Sequence, residues 1–198
     1  MTVKLFKGEF NISFSFALMV ALLLCCDKTG MMTVSLISIF VHEMGHLVML
    51  YVLKLPPRRV NFRLCGIEIV ESRLFCGYLA QLAVAASGPL INILLGLIFL
   101  PFSYLPIAAI VSASNIVIGV FNLLPLSQLD GGEILCCAMS AFMSEQKGKK
   151  ISRIIDMLFI LLLITGGVYI FLMPNHNPTL LITAVYLLVY AIIKHRLY

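Results

Sequence analysis

The sequence predicts an all-α polytopic membrane protein with about six transmembrane helices. It also predicts a small membrane-associated β-hairpin between the second and third helices. Three observations carry this reading. Apolar residues make up 61% of the 198-residue chain and charged residues only 12%, about half the charged share of an average soluble domain. Mean hydropathy is +1.06. The apolar residues come in long charge-free runs, which fits spanning helices and not the short alternating strands of a barrel. The composition excludes a water-soluble globular domain and a disordered chain. Residues 1–198 are read as a single integral-membrane domain.

The first apolar run, Phe10 to Cys26, is just long enough to span, and with no clear cleavage site it is read as a retained helix. The second, about Met31 to Leu53, contains His42, Glu43 and His46. A polar stretch, Lys54 to Arg73, follows. Val60, Phe62 and Leu64, then Ile67 and Ile69, alternate there around Cys65-Gly66, which predicts the hairpin at 58–72. No charge occurs from Leu74 to Leu129. Pro101 and Pro106 divide that run into helices at about 75–100 and 105–124. A short segment at 131–144 precedes a charged loop through Arg153. Pro174 and Pro178 split the last run into helices at about 155–173 and 179–194.

Basic residues test this layout. In a six-span chain every Lys and Arg except Lys28 falls on one side of the membrane. The positive-inside rule then makes both termini, and the loops after the second and fourth spans, cytoplasmic. The net charge of +5 comes from these loops, with no basic arm for nucleic acid. The six cysteines include no CxxC pair and are read as reduced, small apolar residues.

The sharpest chemical signal is His42-Glu43-Met44-Gly45-His46. Histidines at i and i+4 share one helix face, so both imidazoles can reach one metal ion. Glu43 beside them is placed to take a proton from an attacking water. Ionisable groups inside a span are costly and functional by default. Zinc needs a third protein ligand, and Asp130 is the candidate. Asp130-Gly131-Gly132 also reads as a turn capping the next helix. Orientation favours the ligand: His46 lies about 12 Å from the cytoplasmic end of its span, and the fourth span ends near Asp130 on the same side. Asn92 is read as a hydrogen-bonding group either near the site or across helices, and is counted with Asn122 and Pro125 among the substrate-binding candidates. Ser87-Gly88-Pro89 fits a helix interruption or close packing, and Gly166-Gly167 close packing. His176 and His195 are read as solvated or interfacial, and Glu133 as a snorkelling or helix-capping group.

Three segments together resemble the site-2 protease family of intramembrane zinc metalloproteases. They are HEMGH within a span, Ala86-Ser-Gly-Pro-Leu-Ile-Asn92 in the next, and Asn122-x-x-Pro125 followed by Leu129-Asp130-Gly131. They occur in the family's order and cover about residues 31–132. The six-span layout is most similar to the stage IV sporulation protease branch. The resemblance implies that His42, His46 and Asp130 bind Zn2+ and that Glu43 is the catalytic carboxylate. It also implies that Asn122 and Pro125 shape a substrate groove and that the 58–72 hairpin holds an unwound substrate segment. A second proline common in that branch is replaced here by Gln128. The branch's nucleotide-sensing CBS domain after the last span has no room in this sequence, and no PDZ domain lies between spans.

The expected function is zinc-dependent cleavage of a membrane-tethered substrate, such as a pro-sigma factor, an anti-sigma factor or a remnant signal peptide. The active site is expected toward the cytoplasmic side of a bacterial membrane. Two other classes are weighed. A zinc-binding but inactive scaffold or chaperone is disfavoured by Glu43. A metal transporter is disfavoured because intramembrane charges are read as confined to HEMGH and the Asp130 element.

Overall fold

The computed structural model describes residues 2–5, 8–12, 20, 24–25, 27–55, 59–63, 66–70, 77–173 and 178–197. The chain divides into two compact units, Met1–Asn122 and Leu123–Tyr198.

In the first unit, strands β1 (Thr2–Leu5) and β2 (Gly8–Ile12) pair antiparallel. β2 runs parallel to β3 (Arg59–Arg63), and β3 pairs antiparallel with β4 (Gly66–Val70). The order β1-β2-β3-β4 leaves β4 as an edge strand. The N-terminal strands correct the sequence reading. The apolar run does not begin as a helix at Phe10, because Phe10–Ile12 belong to β2. Glu9 and Asn11 alternate there with Phe10 and Ile12, the period-2 pattern of a strand. Most of the expected first span, residues 13–19, 21–23 and 26, lies outside the described residues.

Helix α1 (Met31–Val52) starts behind Gly30, whose φ of 75° suits glycine. Asp27 reaches in from outside the helix. Its carboxylate accepts the Thr33 N–H at 2.8 Å and the Thr33 hydroxyl at 2.6 Å. A donor otherwise orphaned at the helix start is thereby satisfied. At the far end, Leu55 N–H donates to Leu50 O and Lys54 N–H to Tyr51 O, with Lys54 left-handed at φ 58°. This is the hydrogen-bond pattern of a Schellman stop, made with lysine at the position glycine usually fills. α2 (Tyr78–Phe99) runs unbroken through Pro89. A 3-10 turn, Leu100–Phe102, leads toward α3 (Pro106–Asn122), so Pro101 and Pro106 mark the expected break.

The three helices pack against one another through small and polar residues. Gly45 lies against the α2 backbone: a Cβ there would sit 3.0 Å from Ser87 O and 3.2 Å from Gly88 Cα. Gly119 meets Pro89 O, and Gly96 meets Ser112 O. Ser112 Oγ donates to Gly96 O at 2.8 Å, and Asn115 Nδ2 to Ser38 Oγ at 2.9 Å. Large apolar side chains such as Ile37, Phe40, Tyr51, Leu90, Leu94 and Val117 face outward. This inside-out pattern is that of helices solvated by lipid, where close backbone approach and interhelical hydrogen bonds drive packing.

The second unit begins with a turn, 123–129, and continues through α4 (Asp130–Phe142), α5 (Glu145–Leu172) and α6 (Thr179–Leu197). α5 packs against both α4 and α6. Leu126, Ile160, Leu187 and Ala191 form its buried apolar cluster. The expected charged loop through Arg153 is helical instead, from Glu145 onward. Glu145 and Lys149 pair at 2.7 Å one turn apart, and Gly148 lets α5 approach Ser140 of α4. Gly167 sits closely against Leu181 of α6, whereas Gly166 touches little. Cys25, Cys136 and Cys137 are not disulfide-bonded, and the other three cysteines lie outside the described residues.

Among the described residues, three helical stretches are long and apolar enough to cross a membrane: Met31–Val52, Tyr78–Phe102 and Glu145–Leu172. Pro106–Asn122 and Thr179–Ile193 are apolar but shorter.

The Asp27 cap is pH-sensitive. Hydrogen bonds from the Thr33 hydroxyl, then the Thr33 N–H, hold its pKa at about 2, below the usual 3.8. A depressed carboxylate pKa stabilises the folded form fully above about pH 4 and ceases to as pH falls through about 2. Thermal melts in detergent between pH 5 and pH 2 should show this loss in wild type. Asp27→Asn should be less stable at pH 5 and should lack that component of the pH dependence.

Candidate metal centre

The HEMGH segment lies in the middle of α1, and helical geometry sorts its residues. His42, Gly45 and His46 face the interior, Glu43 is half-buried and Met44 is exposed. Gly45 allows the α2 backbone to come close, which brings α2 within reach of the imidazoles. His46 Nδ1 lies 2.7 Å from Val84 O of α2. A carbonyl only accepts, so His46 carries its proton on Nδ1 and turns the Nε2 lone pair inward. A hydrogen bond of this kind commonly fixes the tautomer of a metal-ligating histidine. His46 Nε2 lies 3.2 Å from His42 Nε2, with the rings nearly perpendicular at 80°.

That spacing can be tested against a metal. Two nitrogens each about 2.0–2.1 Å from a tetrahedral zinc ion are separated by about 3.3 Å. The observed 3.2 Å fits one edge of such a tetrahedron. Gly88 completes the cradle. A Cβ there would sit 2.6 Å from His46 Cε1 and 2.8 Å from His42 Nε2. The missing side chain therefore leaves room for the two rings. Ser87-Gly88-Pro89 thus acts in close packing, since α2 is not interrupted there.

Asn92 lies one turn beyond Gly88 on the buried stripe of α2. It is 0% exposed, and neither Oδ1 nor Nδ2 has a hydrogen-bond partner among the described residues. Asn122, the last residue of α3, donates from Nδ2 to Ile118 O at 3.0 Å, bonding within its own helix.

In the second unit, Asp130 is the first residue of α4, and Leu129 holds the N-cap position. Asp130 is therefore inside the helix and not its N-cap residue. Glu133 shares that first turn, where the helix dipole favours a carboxylate. Gly131 and Gly132 let the helix start nestle under the preceding turn, against the carbonyls of Leu123, Leu124 and Leu126. Around Pro125, Leu126 N–H donates to Leu124 O at 2.7 Å. Leu126 is buried in the apolar cluster. The Ser127 N–H donates to Asp156 Oδ1 at 3.1 Å, and Gln128 Nε2 to Leu187 O at 2.8 Å. The turn bearing Asp130 is thus moored to both α5 and α6.

Asp156 is a further ionisable residue buried within a helix, 1% exposed and well inside α5. The early start of α5 hides it: at the edge of a loop, Asp156 would be interfacial. Val84, which orients His46 through its carbonyl alone, leaves no side-chain signal at all. His176 and the side chain of His195 lie outside the described residues.

The fold and site define an integral membrane protein with a buried histidine pair suited to a metal ion on an HExxH helix. Residues 102–165 match the family model of Peptidase family M50. The structure is similar to that of the Site-2 Protease from Methanocaldococcus jannaschii, with a TM-score of 0.67 and 19% sequence identity. That likeness covers 96% of this chain and 93% of the other. No curated protein matches the sequence. The chain therefore has the fold of that site-2 protease, and its residues 102–165 carry the M50 match.

Gly88→Ala should push the imidazoles off their converging geometry. Zinc content of the purified protein should fall well below that of wild type. Helix content by circular dichroism should stay near wild type, since Ala favours the helix.

Proposed function

We propose that this chain is an intramembrane zinc endopeptidase that cuts membrane-tethered protein substrates. The observation that carries the reading is the His42–His46 pair, with Nε2 atoms 3.2 Å apart and the His46 tautomer set by Val84 O. The M50 match and the site-2 protease fold support it. In this reading His42, His46 and Asp130 hold Zn2+, two imidazoles and a carboxylate leaving one position open. Once bound, the metal supplies Lewis acidity toward a peptide carbonyl and water. Glu43 takes the proton of the attacking water and passes it to the leaving amine. His46 is kept in its ligating tautomer by Val84, so it does not compete for that proton. Asp156 and Gln128 hold the turn that presents Asp130. Pro125 stiffens the same turn, and with Asn122 it borders the substrate groove.

A helical substrate hides its carbonyls, so it must unwind locally, and unwound backbone in lipid needs partners. The edge strand β4 is suited to supply them by strand addition. Six crossings with cytoplasmic termini and a cytoplasm-facing site complete the reading. Pro-sigma factors, anti-sigma factors and remnant signal peptides are the substrate classes that fit.

Zinc analysis of purified protein, combined with cleavage of a panel of membrane-tethered reporters, tests the whole reading. Wild type should hold about one zinc and cut. Glu43→Gln should hold zinc and lose cleavage by at least about a hundredfold. Asp130→Ala should lose metal and activity together. Of Ile67→Pro and Glu68→Pro, the one whose N–H faces away from β3 should reduce cleavage without loss of zinc. A wild type without zinc overturns the reading. Zinc-bound wild type that cuts no reporter moves the chain to the scaffold class. Metal uptake that survives Glu43→Gln moves it to the transporter class.

A further inference from the structure

Asn92 presents an unusual combination. Its carboxamide is 0% exposed, and both its donor and its acceptor lack partners among the described residues. Leaving a buried amide unsatisfied costs about 1–3 kcal/mol, so native proteins seldom retain one without use. Interhelical bonding does not account for it. Asn115 of α3 bonds Ser38 of α1 through Nδ2 and keeps a buried Oδ1 unsatisfied, and neither end of Asn92 pairs with it.

The direction of the side chain follows from helix geometry. In an α-helix the Cα–Cβ bond tilts toward the N-terminus, so a side chain covers the turn before its own Cα. For Asn92 that turn holds Gly88, which has no side chain and faces the Nε2 atoms of His42 and His46. Asn92 therefore lies on the buried face of α2, one turn after the glycine that faces the histidine pair.

A carboxamide with both ends unused matches a ligand that both donates and accepts. One residue of an extended peptide offers this, its N–H to Oδ1 and its C=O to Nδ2. A peptide in an intact helix does not, because those groups are already paired within it. We propose that Asn92 reads substrate conformation by pairing through both ends with one unwound residue beside the scissile bond. The proposal rests on the peptidase reading and deepens it. It makes Asn92 a substrate-contacting residue that selects extended over helical backbone.

The sign of the stability change separates this role from a structural one. Replacing an unsatisfied buried amide by an apolar group of similar size is neutral or stabilising, whereas deleting an interhelical hydrogen bond destabilises. The probe is a labelled Leu/Ala transmembrane peptide with a central Gly-Gly pair, together with its twin carrying an ester in place of that amide. Binding is measured on the zinc-loaded, non-cutting Glu43→Gln chain, with and without Asn92→Leu. Tm is measured on the metal-free protein. Asn92→Leu should keep zinc stoichiometry, keep or raise Tm and weaken the amide probe about tenfold. The ester should bind the chain with Asn92 more weakly than the amide does. In the Asn92→Leu chain the two probes should bind equally, because the group that distinguishes them is gone. Asn92→Ala, which cannot overpack, should behave likewise toward both probes.

A lowered Tm with an ester penalty that persists in Asn92→Leu overturns the proposal and makes Asn92 interhelical glue. Unchanged probe affinity, or no probe binding to the chain with Asn92, overturns it as well. Zinc content and reporter cleavage are separate measurements, so failure of the peptidase reading is distinguishable from failure of this pairing.

Discussion

Where α1 and α2 cross at Gly45 and Gly88, neither helix carries a side chain. Two backbones come close there, and that approach brings Val84 O within 2.7 Å of His46 Nδ1. The hydrogen bond sets the tautomer, the tautomer turns Nε2 inward, and the space over Gly88 receives both rings. A methyl group on Gly88 would strike imidazole, not a yielding aliphatic side chain. In water such a contact would draw on hydrophobic burial. Here the outward faces are apolar, so the helices are held by close approach and by polar contacts such as Ser112–Gly96 and Asn115–Ser38.

The second unit solves a different problem, that of fixing an irregular turn. The residues from Leu123 to Leu129 lack regular structure yet directly precede Asp130. Leu126 anchors them in the apolar cluster, Asp156 accepts the Ser127 N–H, and Gln128 donates to Leu187 O. One anchor is apolar burial and two are hydrogen bonds, and together they reach both α5 and α6. Gly131 and Gly132 then let α4 begin directly beneath the turn. The turn before Asp130 is thus held by the two helices that follow α4, and His46 by the helix that follows its own.

Legibility in the sequence follows the range of each interaction. The i, i+4 histidines, the proline break at 101–106 and the helix start at Asp130 are local, and each is readable from spacing alone. The strand at Gly8–Ile12 is not, because its apolar residues run directly into a longer apolar stretch that masks the period-2 pattern. The helical course of 145–153 is obscured by its charges, although Glu145 and Lys149 at i, i+4 are a visible hint. The role of Val84 cannot be read at all, because a backbone carbonyl is the same in every residue. For Asn92 the residue type is suggestive, but only burial without a partner separates a recognition group from helix glue.

Gln128 stands where the resembled branch often has proline, and its hydrogen bond to Leu187 O changes how the turn is stiffened. A proline removes a torsion permanently, at the covalent level. A hydrogen bond contributes only about 1 kcal/mol net and leaves the backbone torsion free. Stiffness at that point is therefore non-covalent. Leu126 and Asp156 hold the same turn by independent contacts, so its position does not rest on Gln128 alone.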